Sequence, residues 1–193
     1  MKTKEEVLFE DAPVGRAVLS LVIPTVISQL ITVIYNLADT FFIGQVGDPN
    51  QVATVSLCMP MFVFLTGLAN LFGIGGSSLM SRSLGMNNHQ KAKQAASFSI
   101  WTAIAVSLIY GIALFKVRSM ILPIVGANEE TYDFCCQYIF WTITIGAMPT
   151  VLNQELAHLV RAEGHSAQAS FGVALGGVLN IILDPIFIFP LGL

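Results

Sequence analysis

Charged side chains are scarce in this sequence. Only 11% of its 193 residues are Asp, Glu, Lys or Arg, whereas soluble domains carry roughly 25%. Hydrophobic residues make up 54% of the chain. A soluble all-helical protein would need an amphipathic outer layer, and no segment here is long enough to supply one. The composition therefore indicates an integral membrane protein.

The sequence also lacks the residue clusters that enzymes, metal sites and nucleic-acid binders need. Its three cysteines have no zinc spacing, its three histidines form no catalytic set, and its basic residues form no patch. Glu155 and His158 resemble half of a carboxylate-bridged metal motif, but no second copy exists, so we interpret them as a helix-end pair. We expect no enzymatic activity, no cofactor and no nucleic-acid partner.

Long uncharged stretches predict five transmembrane helices. Each stretch is about 20 residues or longer, which is enough to cross a bilayer as a helix. None alternates apolar and polar residues as the strands of a membrane barrel do. The predicted fold is therefore all-α, with a cytoplasmic segment at 1–16 and helices at about 17–44, 52–80, 95–115, 133–155 and 167–190.

The basic residues predict the orientation of these helices. Short loops on the cytoplasmic side of a membrane protein are enriched in Lys and Arg. A cytoplasmic N-terminus places every basic residue except Lys116 and Arg118 inside, with loops at 81–94 and 155–166. We therefore expect a multi-pass protein of the inner (plasma) membrane with its N-terminus in the cytoplasm.

Four of the predicted helices contain a proline, namely Pro24, Pro60, Pro149 and Pro185. Proline removes an intrahelical hydrogen bond and tends to kink the helix. Any single one is explained by the frequency of proline in membrane helices, but four together favour helices that move. Pro24 and Pro185 are the hinge candidates.

Polar residues follow one face of the first predicted helix. Their successive spacings of three, four, three, one and three residues place them along one face of a helix. The face ends in an acid, and a charge at mid-bilayer costs about 2.5–3.5 kcal/mol on insertion scales. We expect it to line a cavity, the alternative being a polar seam that only packs. Its members are Thr25, Ser28, Thr32, Tyr35, Asn36 and Asp39.

A second row occupies the fifth predicted helix, where Gly172, Gly176, Asn180 and Asp184 recur at every fourth residue. The glycines fit a packing role, as small residues spaced by four do in many membrane helices. Asn180 and Asp184 bring an amide oxygen and a carboxylate to one face, beside a carbonyl that Pro185 frees. Those oxygens suit a hard cation such as Na⁺, or the acid holds a proton.

The residues resemble those of a known transporter family. IPTVISQLITVIYNLADTFFIGQVG resembles the first helix of the multidrug and toxic compound extrusion family, including the acid before a Phe-Ile-Gly ending. The resemblance continues through VATVSLCMP, GIGGSSLMSRSLG, LVRAEGHSAQA and LNIILDPIFIFPLGL, and so covers nearly the whole chain. Among its subgroups, the chain is most similar to bacterial transporters of the DinF-like type.

The resemblance implies twelve helices in two six-helix lobes, of which residues 17–193 correspond to an incomplete amino-terminal lobe. It implies Na⁺ or H⁺ coupling at Asp39, Asn180 and Asp184, and a cavity lined by Tyr35, Asn36 and Asn153. The sixth helix and second lobe are missing partners of this chain. Because such transport rocks two halves around a central site, we do not expect this chain to transport alone.

The expected function is therefore a cation-coupled antiporter, driven by Na⁺ or H⁺, that exports cationic or amphipathic small molecules such as drugs. One alternative is a flippase for lipids or lipid-linked oligosaccharides, but such proteins usually line their cavity with basic residues and no Lys or Arg is embedded here. A non-transporting membrane module is the other alternative.

Overall fold

The described part of the chain is helical throughout. The computed structural model describes residues 13–45 and 47–188, and these form helices joined by short turns. The all-α prediction is confirmed. The segments are α1 (Val14–Gln45), α2 (Pro49–Gly85), α3 (His89–Ile124), α4 (Glu129–Tyr138), a π-helical segment (Ile139–Ile145), α5 (Ala147–Ala162) and α6 (Ser166–Ile188).

Four of these helices, α1, α2, α3 and α6, are long and apolar enough to cross a membrane. The fifth candidate span is bent: the stretch Glu129–Ile145 meets Ala147–Ala162 at an angle of 45°. Counted as one broken span, this pair brings the number to five. The chain thus belongs to the multi-pass helical class that its composition indicates.

The turns between helices are short because side chains cap the helices that follow. Asp48 accepts a hydrogen bond from the Asn50 amide at 2.9 Å, and Asn88 accepts one from the Lys91 amide at 3.0 Å. Asn128 and Thr131 form a reciprocal capping box at the start of α4. These caps provide partners for amide groups that have none inside the helix.

The helices extend beyond the predicted spans. Helix α3 begins at His89 and ends at Ile124, whereas the prediction was 95–115, and it includes Lys116 and Arg118. Uncharged stretches mark the part of a helix that suits lipid, whereas caps and turns decide where the helix begins and ends. Residues 1–12 of the predicted cytoplasmic segment 1–16 lie outside the described residues. Residues 189 and 190, at the end of the last predicted helix, do so as well.

The predicted single helix at 133–155 differs most from the structure. It begins at Glu129, passes through the π-helical segment and continues in α5 to Ala162, so Glu155 lies inside a helix and not at the start of a loop. The bend lies at Gly146, whose amide donates to the Trp141 carbonyl at 2.9 Å. Pro149 falls in the first turn of α5, where its missing N–H has no intrahelical partner to lose.

The helices form two groups. Helices α2, α3 and α5 share a core of Leu65, Ala69, Ala103, Ala147 and Val151. Helix α1 packs mainly on α6, and α6 also contacts α5. Only 6% of the apolar window of α1 is buried, against 28% in α2 and α3. The α1–α6 pair is therefore attached to the side of a better-packed bundle.

Candidate functional site

Helix α1 approaches α6 closely at Gly177. A Cβ atom built there would lie 2.8 Å from Cδ1 of Tyr35 and 3.3 Å from Cγ2 of Ile31, which is closer than side chains pack. The absence of a side chain at Gly177 therefore lets the Tyr35 ring lie against the α6 backbone. This contact fixes the register of α1 on α6. Tyr35 lies about one helical turn from Asp39, and Gly177 lies about two turns from Asp184.

Asn180 and Asp184 are joined on α6. The Asn180 amide donates to Oδ1 of Asp184 at 2.9 Å, as the spacing of four residues in a helix allows. The side-chain oxygen of Asn180 and the other carboxyl oxygen of Asp184, Oδ2, are buried without a hydrogen-bond partner among the described residues. The pair thus presents two buried oxygen acceptors whose bonding capacity is unused.

Asp39 approaches this pair from α1. Its half-buried carboxyl group interacts electrostatically with Asp184 and with the Tyr35 hydroxyl. The Tyr138 hydroxyl at the end of α4 interacts with Asp39 as well, so a third element contributes to the cluster. Sequence reasoning did not single out Tyr138, because its position in an aromatic stretch gives no signal of proximity to an acid on another helix.

The other predicted cavity residues lie apart from these contacts. The side chains of Asn36 and Asn153 are exposed in this chain and make no hydrogen bond within residues 13–45 and 47–188. The Asn36 carbonyl accepts a bond from Thr40 at 2.9 Å, which lies within α1. A role of Asn36 and Asn153 in lining a substrate cavity stays a prediction.

Three hydroxyls of the polar face on α1 bond to their own helix. Thr25 donates to the Leu21 carbonyl, Ser28 to the Thr25 carbonyl and Thr32 to the Ser28 carbonyl. These bonds satisfy the groups without a cavity, and Ser28 is buried. In this part of α1 the structure therefore fits the packing alternative, whereas the end of the face carries Asp39.

The glycines that were predicted to pack against a neighbouring helix, Gly172 and Gly176, do not make that contact. Nothing lies within 4 Å of a Cβ built at Gly172 or Gly176, so the every-fourth-residue row does not form the helix contact. The contact is made by the next residue, Gly177. Spacing alone identifies a stripe of small residues but does not show which side of the helix meets its neighbour.

Both proposed hinges lie inside helices. Helix α1 continues through Pro24, and α6 continues through Pro185, the residue directly after Asp184. Each proline leaves a carbonyl one turn earlier without its usual amide partner. For Pro185 that carbonyl belongs to Ile181, on the same helix as the Asn180–Asp184 pair.

The donor set of the cluster consists of oxygen atoms. The two carboxyl groups and the Asn180 amide oxygen suit a hard monovalent or divalent cation. No group of three His, Cys, Asp or Glu side chains that could hold a metal ion occurs in the parts of the chain that the structure describes.

Comparison with known proteins decides the family. The profile of the MatE family matches residues 24–186, which is most of the chain. The chain belongs to the MatE family. It is 35% identical over 189 residues to the multidrug export protein MepA of Staphylococcus aureus and 34% identical to that of Staphylococcus saprophyticus. Each alignment covers 98% of this chain and 42% of the relative.

Solved MatE transporters have the same fold. A MOP superfamily transporter from Pyrococcus furiosus superposes with a TM-score of 0.91 at 30% identity, covering 100% of this chain and 42% of that one. MATE structures in straight and bent conformations superpose with TM-scores of 0.90 and 0.88. The MatE chain described here thus spans less than half the length of these relatives.

Proposed function

We propose that this chain is the larger part of the amino-terminal lobe of a cation-coupled exporter of cationic or amphipathic small molecules. The relatives named as multidrug export proteins support the export of drugs. The residues that carry the coupling in this proposal are Asp39, Asn180 and Asp184, which lie together where α1 meets α6.

One observation carries the proposal: Asn180 and Asp184 each have a buried oxygen without a partner among the described residues, and Asp184 is within electrostatic range of Asp39. Two carboxylates close together in a partly buried site repel each other unless a positive charge is shared between them. Either Na⁺ or a proton supplies that charge. A cation-coupled cycle needs a site of this kind, in which the two acids are stable while they hold Na⁺ or a proton and repel each other when it leaves.

The coupling follows from competition for the same negative charge. When Na⁺ or H⁺ neutralises the acids, the attraction between the lobe and a cationic substrate weakens, so the substrate is released. When the ion leaves, the acids again favour a cationic substrate. Tyr35, Asn36 and Asn153 line the substrate cavity in this scheme.

The prolines supply the movement in this proposal. Pro24 and Pro185 lie in the two helices that carry the acids, and the carbonyl groups that they free allow each helix to bend locally. MATE structures described as straight and bent support such a change. Loading of the acids would then bias α1 and α6 towards one of two shapes.

The chain is proposed to lie in the inner (plasma) membrane with its N-terminus in the cytoplasm. Its partners are the lipid bilayer and the remaining sixth helix and second lobe, which the length of the relatives supports. Alternating access by rocking needs two halves, so the 193-residue chain alone is not expected to export.

The test uses efflux of a fluorescent cation from cells that carry the chain joined to its second lobe. We expect Asp39→Asn and Asp184→Asn to abolish efflux at equal expression, because neither variant can pair two acids around an ion. Efflux should also depend on an imposed gradient of Na⁺ or of H⁺, which identifies the coupling ion.

Asp133→Asn is the matched control, since Asp133 is an exposed acid near the start of α4 and lies outside the cluster. This variant should export at the rate of the unaltered protein. Normal efflux from both the Asp39 and the Asp184 variants would contradict the assignment of the coupling site. Efflux that requires neither ion gradient would contradict coupling itself.

A further inference from the structure

A second buried acid lies outside the proposed coupling site. Glu155 has no exposed surface although it carries a carboxyl group, and it lies in α5 where α2 and α3 pack against that helix. Its Oε2 atom has no hydrogen-bond partner among the described residues. Fully buried glutamates are rare unless they are paired, so this side chain needs an explanation.

The hydrogen bonds of Ser99 indicate which form of Glu155 the site accommodates. The Ser99 hydroxyl lies 2.8 Å from the Phe72 carbonyl oxygen and also contacts Oε1 of Glu155. A hydroxyl carries one hydrogen, and a peptide carbonyl carries none. Both contacts are complete only if Ser99 donates to Phe72 while a protonated Glu155 donates to the Ser99 oxygen.

No cation compensates a charge at this position. Helix α2 presents Asn70 and the backbone of Gly73 and Gly76 to this region, and its described titratable groups are Cys58 and Arg82. On α5 itself the titratable neighbours are His158, whose Nε2 atom lies 3.2 Å from Oδ1 of Asn70, and Arg161, whose Nε atom is buried without a hydrogen-bond partner among the described residues. A buried carboxylate without a paired cation is costly, and a neutral acid avoids this cost.

The other elements add no nearby opposite charge. Helix α3 presents Ser99, and its basic residues lie towards its two ends, at His89, Lys91, Lys93, Lys116 and Arg118. The described part of α6 contains one titratable residue, Asp184, which is an acid near the opposite end of that helix from its junction with α5. The described surroundings of Glu155 therefore contain bases but provide no ion pair for its carboxyl group.

Close packing makes the site sensitive to the state of the acid. A Cβ atom at Gly73 would lie 3.3 Å from Oε2 of Glu155 and 2.6 Å from the His158 ring, and one at Gly76 would collide with Ser99. Both glycines are thus needed for α2 to approach α5 and α3 at this level. Hydration of an ionised Glu155 would require these helices to separate.

A groove gives this site a route to the exterior of the chain. Its volume is about 470 Å³, and it runs between α2 and α3, with Lys91 and Gln94 on its polar side. Gly76 and Ser99 also line it, so the groove reaches the hydroxyl that contacts Glu155. The Ser99 hydroxyl thus lies between the groove and the acid.

We propose that Glu155 is a proton-binding site distinct from the Asp39–Asp184 cluster: the neutral acid holds α5 against α2 and α3 through Ser99, and release of its proton loosens that contact. The ligand is a proton, exchanged through the groove between α2 and α3. The assignment rests on the hydrogen bonds and packing of this lobe and stands independently of the transport function.

Infrared spectroscopy of the purified chain in lipid tests the proposal directly, because neutral and ionised carboxyl groups absorb at separate frequencies. At neutral pH we expect Glu155→Gln to lose a band of a neutral carboxylic acid that the unaltered chain shows. Ser99→Ala should keep this band but shift its frequency, because the acid loses its hydrogen-bond acceptor. The matched controls are Glu130→Gln, at an exposed glutamate, and Ser107→Ala, at a buried serine that donates within α3.

Thermal unfolding provides a second measurement. The folded chain holds a proton that the unfolded chain releases at neutral pH, so stability should fall as the pH rises. Glu155→Gln, which keeps a donor at this position, should remove that dependence without lowering the melting temperature at neutral pH. An unchanged infrared band in Glu155→Gln would overturn the proposal. An unshifted band in Ser99→Ala would overturn it as well, and that variant retains Glu155, so it provides a test even if Glu155→Gln does not fold.

Discussion

At the scale of single residues, the orientation of one amide decides what the α6 site offers. The Asn180 side chain donates its N–H to Asp184, so its oxygen faces away from that bond and remains an acceptor. A carboxylate at Asn180 would repel Asp184, and an alkyl group would remove the acceptor. An amide is therefore the side chain that both holds the acid in place and adds an oxygen to the site.

This leads to a prediction for sodium binding by the chain. We expect NaCl to raise the melting temperature of the purified chain relative to choline chloride at equal ionic strength, since a ligand at about 100 times its Kd stabilises the folded state by about 2.7 kcal/mol. Asn180→Leu should remove most of this increase. Thermal unfolding monitored by tryptophan fluorescence measures it.

Asn70→Leu serves as the control. Asn70 is also an asparagine in a membrane helix, but its side chain contacts His158 instead of an acid. That variant should keep the sodium effect. An equal sodium effect in the Asn180 variant would exclude Asn180 from the sodium site, whereas an absent effect in the unaltered chain together with acid-driven efflux would identify the proton as the coupling ion.

The residues of the α6 site were predictable, whereas the buried acid of α5 was not. Asp39 and Asp184 interrupt long apolar stretches, where an acid is costly and so signals a role. Glu155 lies where charged residues resume, so the sequence suggested a helix end. Its burial depends on α2 and α3, which pack over it, and neither helix can be placed there from local sequence.

At the scale of helices, the α1–α6 contact depends on one missing methyl group. We expect Gly177→Ala to be less stable than Gly176→Ala by about 1–3 kcal/mol, the usual cost of overpacking. The new Cβ at Gly177 meets Tyr35, whereas the one at Gly176 meets nothing within 4 Å. Both substitutions gain the same helix propensity, so the difference isolates the contact.

Denaturant unfolding of the two variants side by side measures this difference. Equal stabilities would show that Tyr35 moves aside at no cost and that α1 is not held by this contact. The comparison also separates the residue that the structure uses from the row of glycines that the sequence indicated, since Gly176 belongs to that row and Gly177 does not.

The π-helical segment makes a similar contact with α3. A Cβ at Gly111 would lie 3.0 Å from the Ile143 carbonyl oxygen and 3.2 Å from the Thr144 Cα, both of which are backbone atoms. We expect Gly111→Ala to lower the free energy of unfolding by about 1–3 kcal/mol, because a backbone yields less easily than a side chain. Gly67→Ala, where nothing lies within 4 Å, should be neutral or slightly stabilising.

Circular dichroism during denaturant unfolding measures both variants. A Gly111 variant as stable as the Gly67 variant would show that the π-helical segment shifts freely on α3. The segment itself was not predictable, since its residues, IFWTITI, give no break signal and continue an apolar span. The Gly146 amide donates to the Trp141 carbonyl five residues earlier, which makes the turn wider than in an α-helix. The segment packs against Gly111 of α3, a tertiary contact that local sequence does not reveal.

At the scale of the whole molecule, the helices differ in how much of their apolar surface is buried. Helix α1 has one buried residue, Ser28, and exposes large apolar side chains along its length. Lipid covers part of this surface. The α1–α6 pair also carries the proposed ion site, and we propose that the remainder of a transporter more than twice this length meets the lobe along that pair.

The positions of the basic residues predict which ends of the helices face the cytoplasm. The turn between α2 and α3 lies near Arg82, Lys91 and Lys93, and cytoplasmic turns are enriched in such residues. We therefore expect a membrane-impermeant maleimide to label Glu129→Cys, at the start of α4, in intact spheroplasts, and to label Met86→Cys only in inside-out vesicles. Both positions are exposed in the structure.

The native cysteines allow a simple background for this measurement. Cys58 and Cys135 are buried, so replacing the half-buried Cys136 with Ser should leave little labelling in the parent chain. The opposite pattern would place the N-terminus outside, and the polar cluster would then lie nearer the cytoplasmic surface. Labelling of both positions from the same side would require an even number of crossings between them, which contradicts α3 as a membrane-spanning helix.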